Sequence, residues 1–585
     1  MKLYEPIVAR LQRLRGWLTA SETTTGIALA ALVGVAAGLG AVAFRWLIST
    51  FQSLFFDGGE QVFGALGRHY VILIPVIGGL LVGLIIHFLA REAKGHGVPE
   101  VMAAVAAKGG RIRPRVSIVK TLASSICIGS GGSVGREGPI VQIGSSIGSA
   151  VGQWLRLPED WLRTLIACGA AGGISATFNA PIAGVFFALE VILGRFISRS
   201  FAFVVISSVV ADVVAHAFLG DTQSFLVPAY ELISAWEIPI YVVLGIAAGV
   251  VALVFIYVLY KSEDIFDGWK FPSYLKPAFG GIFIGLIGFY SLDLFGVGYE
   301  GVERALLGDI AVSTLLIMGV LKLIATSVTI GSGGSGGIFA PSLFLGAMFG
   351  GAFGETAHRI FPTITAPSGA YAVVGMAAVF AGAARAPITA IIILFEMTRD
   401  YNIILPLMLA VVISTVVARG FNPETIYTTK VRRAGIDLRR YEDVDVMRSI
   451  TVGEAMTRDF PTVSPKMPVS ELLSKASRTG HHGFPVVGED GRLFGVVTLA
   501  DVESATTSES DELRVEDIAT KSPIVAYPDQ SLYEALLKLG AKDVGRIPVV
   551  DRNDRTRLLG VLRRHDIIRA YRKKLEESVR RDRGY

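Results

Sequence analysis

Through the first 420 or so positions, apolar residues run in long blocks broken by short polar and glycine-rich stretches. Many spanning helices are implied, among them Thr25–Leu47, Tyr70–Leu89, Phe201–Leu219, Pro239–Tyr260, Leu275–Leu294 and Ile403–Val417. Others, such as Ile140–Val151 and Pro341–Phe353, are shorter than the roughly 17–25 residues a full crossing takes, so partial crossings are expected. Non-helical backbone at that depth is tolerated only where it lines a polar path or is buried in protein. After about Phe421 the pattern changes. From Ser449 onward charges are frequent and apolar runs shrink to strand length, predicting a soluble α/β tandem of short strands and amphipathic helices such as Val469–Ser477 and Ser531–Leu539.

Both regions repeat internally. Lys120 to Gly152 reads without a gap against Lys322 to Gly354, with Gly135 and Gly337 standing 202 residues apart. A second pair follows, Phe178-Asn-Ala-Pro-Ile-Ala-Gly against Ala384-Arg-Ala-Pro-Ile-Thr-Ala, each ending a few residues later in a glutamate, Glu190 and Glu396. Paired halves with glycine-broken membrane helices are the pattern of transporter folds whose ion site lies near the bilayer midplane. The repeat alone leaves the relative topology of the halves open. In the C-terminal region, Gly483-Phe-Pro-Val-Val487 with Gly495 to Asp501 matches Arg546-Ile-Pro-Val-Val550 with Gly560 to Asp566.

Composition agrees: 585 residues, 52% hydrophobic and only 18% charged, are too apolar for a soluble enzyme of this length. The formal net charge of +5 gives no case for nucleic acid, and the basic tail after residue 569 reads as a solvated helix. Lys2 to Glu22 has no small-residue cleavage site and reads as an amphipathic helix on the cytoplasmic face, where juxtamembrane Arg and Lys concentrate. Cys127 and Cys168 fall in apolar segments as packing residues.

The chemistry sits in the two copies of Ile-Gly-Ser-Gly-Gly-Ser, at Ile128 and Ile330. Glycine this dense bares backbone N–H groups, and each run leads into a helix, so amides and a positive helix terminus can point at an anion. Glu137, between Gly135-Arg136 and Gly138-Pro139, is a carboxylate in an apolar setting; such a group marks an ion path, against the alternative of an ion pair with Arg136. Ionised, it would occupy and block an anion position; protonated or swung out, it would open one.

These motifs, in this order, resemble the CLC family of chloride channels and chloride/proton exchangers carrying a C-terminal CBS pair. The resemblance covers essentially the whole chain and implies an all-α polytopic membrane domain with two inverted-repeat halves and broken, re-entrant helices, followed by an α/β CBS tandem. It implies a homodimer with one anion pathway per subunit, in the lipid bilayer of a bacterial-type inner or plasma membrane, with the N-terminus and CBS pair cytoplasmic. It assigns Glu137 as the external gate and proton-accepting group. Chloride would be held by the amides of Ile338 and Phe339 and the hydroxyl of Tyr427; on its own, Tyr427 reads rather as an interfacial anchor, a preference its motif position reverses. Gly95, Gly97, Pro99, Gly135, Arg136, Gly138, Pro139, Gly337 and Pro341 complete the anion motifs.

Two positions depart from the family pattern. Gly95-His-Gly-Val-Pro99 has His96 where many members carry a serine that donates to chloride, so the donor becomes an imidazole, or the ring turns away and only backbone contributes. Val191 follows Glu190 where many exchangers carry a second, proton-carrying glutamate. Valine cannot relay a proton, which favours a passive, voltage- or pH-gated channel over an antiporter; Glu190 and Glu396 read as helix braces.

By the same resemblance Thr498 and Asp501, with Arg563 and Asp566 in the second copy, are the CBS positions that would meet the phosphate and ribose of ATP, ADP or AMP. No cofactor is required and no metal cluster is expected. An enzyme would need a nucleophile and base or paired carboxylates, which His96 and Glu137 do not make. A CBS-regulated cation or osmolyte transporter would present carbonyls or several acids to its ion, whereas glycine runs entering helices present N–H groups. The expected organisation is 1–432 membrane domain, 433–448 linker, 449–507 and 513–575 CBS domains, and 576–585 basic tail.

Overall fold

The computed structural model describes residues 22–194, 198–221, 230, 232–436, 446–447, 449–505, 513–541 and 544–582. The expected helix before Glu22 lies outside them, apart from that residue. The chain divides into two compact units, 1–436 and 437–585.

Among the described residues, the regular elements of the first unit are helices. Helices α1 (Glu22–Phe63), α2 (Tyr70–Phe88), α3 (Val98–Ala107), α4 (Pro114–Gly129), α5 (Glu137–Trp154), α6 (Glu159–Phe178), α7 (Pro181–Phe187) and α8 (Ser198–Leu219) form one half. The other comprises α9 (Ile238–Gly268), α10 (Lys276–Tyr290), α11 (Tyr299–Leu307), α12 (Val312–Gly331), α13 (Phe339–Ile360), α14 (Ser368–Ala384), α15 (Pro387–Thr398) and α16 (Ile404–Phe421), followed by α17 (Thr428–Arg433). Five helical stretches among the described residues are long and apolar enough to cross a bilayer. Two helices outrun the expected spans: α1 has 42 residues and α9 has 31. A helix of that length exceeds the roughly 20 residues that span hydrocarbon, so polar turns at its end, such as Lys261 to Gly268, continue the helix beyond the apolar core.

The halves are related as an inverted repeat, and their contacts come in reciprocal pairs. Ser124 Oγ lies 2.9 Å from Ser335 Oγ, and the equivalent Thr326 Oγ1 lies 3.5 Å from Ser133 Oγ. Gly135 and Gly337 exchange backbone hydrogen bonds of 2.7 and 2.6 Å as an antiparallel bridge. A contact i–j mirrored as j′–i′ is what a two-fold relation between copies produces. Close packing of α5 on α6, and of α13 on α14, depends on absent side chains: a Cβ at Gly144 would strike the Gly169 carbonyl, and one at Gly346 that of Gly375.

The glutamates after each Asn/Arg-Ala-Pro turn brace the opposite half. Glu396 accepts from the Ile182 and Ala183 amides at 2.9 and 2.7 Å, capping α7; Glu190 accepts from Thr389 N and Oγ1 at 2.8 and 2.7 Å, capping α15. Each carboxylate therefore satisfies orphan N–H groups at a helix start.

In the second unit, α18 (Val452–Ala455), α19 (Val469–Thr479), β1 (Gly483–Val487), β2 (Leu493–Thr498), α20 (Leu499–Ala505), α21 (Val515–Ile518), α22 (Leu532–Ala541), β3 (Arg546–Val550), β4 (Leu558–Arg563) and α23 (Arg564–Asp582) make the tandem. Each copy has one antiparallel strand pair with the same late register shift. Each buries its own apolar cluster, around Phe484 and Val497 in one and Ile547 and Leu562 in the other.

Candidate anion pathway

Three glycine-bearing turns meet inside the first unit. The Gly95 amide donates to the Gly334 carbonyl at 3.0 Å and the Gly336 amide to the Gly95 carbonyl, while Gly135 pairs with Gly337. Gly95 and Gly97 take φ of +80° and +82°, conformations closed to most side chains. Gly138 packs on the His96 carbonyl so closely that a Cβ there would collide with it. The turns thus aim the starts of α3, α5 and α13 into one region. Pro99, Pro139 and Pro341 stand in the first turns of these helices, where a missing N–H costs nothing.

Glu137, 1% exposed, begins α5 yet its carboxylate reaches α13. Oε2 accepts from the Ala340 amide at 3.4 Å and Oε1 from the Tyr299 hydroxyl at 3.3 Å. The first-turn amides of α13, at Phe339 and Ala340, have no intrahelical partner to donate to. Ile338 is the N-cap. A carboxylate therefore lies on the Ala340 amide at the positive end of α13. It folds back over Gly135, where a Cβ would strike Oε2. Arg136 turns elsewhere: its guanidinium lies 5.2 Å from the Tyr299 ring centroid and donates to the Thr177 carbonyl at 3.4 Å. No ion pair between Arg136 and Glu137 is found among the described residues.

His96 is 1% exposed and Tyr427 2%, their rings 6.0 Å apart. Neither His96 ring nitrogen has a hydrogen-bond partner among the described residues. A buried N–H left unmade costs about 1–3 kcal/mol. Tyr427 caps α17, directly after the Asn422 to Ile426 turn, and is buried rather than interfacial. Val191 is 6% exposed, in the π-helical turn Ala188–Leu193 that continues α7.

Sequence reasoning missed Tyr299. Its signal is a third repeat, Gly296-Val-Gly298 against Gly95-His-Gly97, with Gly298 at φ +82° like Gly97. Buried Lys120 donates to the Ala93 and Gly95 carbonyls at 3.0 and 2.7 Å; its mate Lys322 donates to Leu294 and Gly296 at 3.2 and 2.9 Å. The two lysines hold the two Gly-x-Gly turns in place, and the second turn presents Tyr299 to Glu137.

In the tandem, Thr498 N and Oγ1 both donate to Asp501 Oδ2 at 2.7 Å, a closed turn at the start of α20. Asp566 differs from the expected ribose acceptor. It is fully buried and takes Arg563 Nε at 2.9 Å, Arg569 at 2.5 Å and the Thr457 hydroxyl at 3.3 Å. Burial raises this carboxyl, and the Arg563 side chain and amide, with Arg569, more than offset it, leaving it below the ordinary aspartate range. Arg563, expected at phosphate, is spent on Asp566.

Comparison with known proteins places these features. Residues 78–419 match the family model described as voltage gated chloride channel, and residues 452–506 and 515–573 match the CBS domain model. The H(+)/Cl(−) exchange transporter ClcA of Vibrio vulnificus is 35% identical over 422 residues, covering 69% of this chain and 89% of that one. Chloride channel protein CLC-f of Arabidopsis thaliana is 29% identical over 622 residues, covering 91% of this chain and 78% of that one. A slow cyanobacterial Cl−/H+ antiporter of known crystal structure superposes with a TM-score of 0.66 at 27% identity, covering 70% of this chain and 97% of that one.

Proposed function

Because the chain belongs to the voltage-gated chloride channel (CLC) family, with a membrane domain followed by a CBS pair, we propose that it moves chloride through the meeting point of α3, α5 and α13, gated by Glu137. The observation that carries this reading is the Glu137 carboxylate on the first-turn amide of α13. A side-chain anion there competes with a free anion for the same donors. Chloride needs partial positive charge without a tightly bound countercharge. The amides of Ile338 and Phe339, the Tyr427 hydroxyl and a His96 N–H supply it; an imidazole offers at least one N–H in either protonation state.

Proteoliposomes loaded with chloride test this. Chloride release on dissipating the membrane potential should exceed that of protein-free vesicles at least about tenfold at equal lipid, while sodium and neutral osmolytes stay trapped. Release of cations instead of chloride would refute an anion pathway.

Passive conduction is the favoured mode, on Val191 and on Glu190 being committed to the α15 amides. Chloride/proton exchange is the second reading, favoured by relatives named as exchangers and by the antiporter of similar fold. The proposal includes a homodimer in a bacterial-type inner or plasma membrane, with the chain's N-terminus and CBS pair cytoplasmic.

Adenine nucleotide at the CBS pair is a further part of the reading, supported by the Thr498–Asp501 turn at the start of α20. With ATP, ADP or AMP about tenfold above Kd, the melting temperature of a Ser449–Tyr585 fragment should rise by about 5 °C or more, and Asp501→Asn should abolish the rise. Asp566→Ala should lower the ligand-free melting temperature instead, since it leaves Arg563 and Arg569 without their carboxylate. No rise with any of the three nucleotides leaves the pair as a structural brace.

A further inference from the structure

Beside the Glu137 site lies a pocket of about 120 Å³, lined among others by Arg45, Arg136, Asn179, Asp212, His216 and Tyr299. One water needs about 10–15 Å³ of such space, so the pocket has room for several. On one wall is Tyr299, whose hydroxyl donates to Glu137. On another, α8 carries a polar ladder that nothing in the anion pathway uses. Asp212, 8% exposed, accepts from Ser175 Oγ at 3.3 Å and lies 3.4 Å from His216 Nδ1. His216 Nε2 lies 3.4 Å from Asp221 Oδ1, and Asp221, at the exposed end, also takes Asn179 at 2.7 Å and Arg399 at 2.6 Å.

Resting on the reading of Glu137 as the gate, we propose that His216, oriented by Asp212, is the proton-entry group for Glu137, and that protons cross the pocket to reach it by way of the Tyr299 hydroxyl. The chemistry balances. The imidazole takes a proton at Nε2, which is itself buried, by way of the exposed Asp221 carboxylate that meets bulk, and becomes imidazolium between two carboxylates. It then returns to the neutral ring as a proton passes into pocket water. Tyr299 passes its own hydroxyl proton to the Glu137 carboxylate and takes one from the pocket, so the net change is a neutral Glu137 carboxyl. Asp212 orients the ring through Nδ1, leaving Nε2 as the exchanging atom. One third of the His216 side chain is exposed, but Nε2 is buried, so contact with solvent runs through Asp221, whose side chain is 61% exposed.

The charges around His216 explain why an intermediary is useful. Asp212 lies on its own helix, Asp221 just beyond it with Arg399 attached, Arg45 comes from α1, Arg136 from the start of α5, and Tyr299 from α11. Two guanidinium groups line the direct approach to Glu137 and repel hydronium, whereas the Asp212–His216–Asp221 ladder attracts it. A group that accepts protons beside carboxylates and releases them past arginines raises the rate of protonation without altering the anion site.

The test is a pH jump on reconstituted full-length protein, following how fast chloride release responds to external acidification. His216→Ala and His216→Gln should slow the response at least about fivefold, a small share of what positioned acid–base groups supply. Imidazole at about 20 mM should restore the rate in His216→Ala, as a diffusible shuttle replaces the missing ring. In a Glu137→Gln background neither substitution should change chloride release. Responses within about twofold of the parent in both variants overturn the relay, as does slowing that imidazole fails to restore, since that marks a packing role. If Glu137→Gln alone keeps the parental pH response, the gate reading falls instead.

Discussion

Glu137→Gln is expected to raise chloride release at pH 7.5 about tenfold and to flatten its dependence on pH between about 4.5 and 8. Glutamine keeps the length and shape of the side chain, and its carbonyl oxygen can still meet the Ala340 amide. What it loses is charge. A charge-assisted hydrogen bond contributes about 1.5–3 kcal/mol against 0.5–1.5 for a neutral one, and a difference of 1.4 kcal/mol is tenfold in occupancy. The side chain should therefore yield its place on α13 to chloride roughly ten times more often, with no titration left to modulate it. In the parent protein the sign follows from the same geometry: acidification neutralises the carboxyl, weakens its hold on the amides, and opens the path. Glu137→Ala should be equally flat in pH, since the blocking group is gone. A Glu137→Gln profile that still climbed on acidification like the parent would exclude this carboxylate as the gate.

The buried, helix-starting place of Glu137, the proposed gate, was legible because its signals are local. A charged residue between glycines, in apolar surroundings and ahead of a proline-started helix, needs no tertiary knowledge to stand out, and the 202-residue repeat pointed to the partner turn it would face. The CBS strand pairs were equally plain, since β-branched runs with glycine between them leave little else to form. Tyr299 was hidden because its turn shares with Gly95-His-Gly97 only two glycines and a valine out of register. Its role depends on Lys322, which anchors the turn from 26 and 28 residues downstream. The pairing of Asp566 was hidden for a related reason. Its motif position is that of a ligand acceptor, but Arg569 lies one helical turn on and Thr457 contributes from 109 residues away. Together with Arg563 they consume its lone pairs, and pairing of that kind cannot be read from a motif. The lengths of α1 and α9 were underestimated because hydropathy marks where a helix leaves hydrocarbon, whereas the backbone ladder continues until a residue interrupts it.

The second large effect concerns coupling. With Val191 in the inner turn, an imposed pH gradient should leave the reversal potential at the chloride Nernst value, moving it by less than about 5 mV per pH unit against the 59 mV a proton electrode would show. The argument is one of available groups. An apolar side chain at Val191 neither donates nor accepts. The adjacent Glu190, the nearest carboxylate in sequence, already accepts the Ile388 and Thr389 amides and the Thr389 hydroxyl. Freeing it to shuttle protons would strip the start of α15 of its cap, at a cost of about 1–3 kcal/mol for each donor left unmet. Protons entering through the pocket beside Tyr299 would then reach Glu137 and return by the same route, gating chloride without crossing. A reversal potential displaced by tens of millivolts per pH unit, with Glu137 intact, would instead establish exchange through an inner route that bypasses Val191. Repeating the measurement in Glu190→Gln separates the remaining cases. If displacement vanished there, Glu190 would be a proton carrier as well as a cap; if it persisted, the inner route would run through other groups.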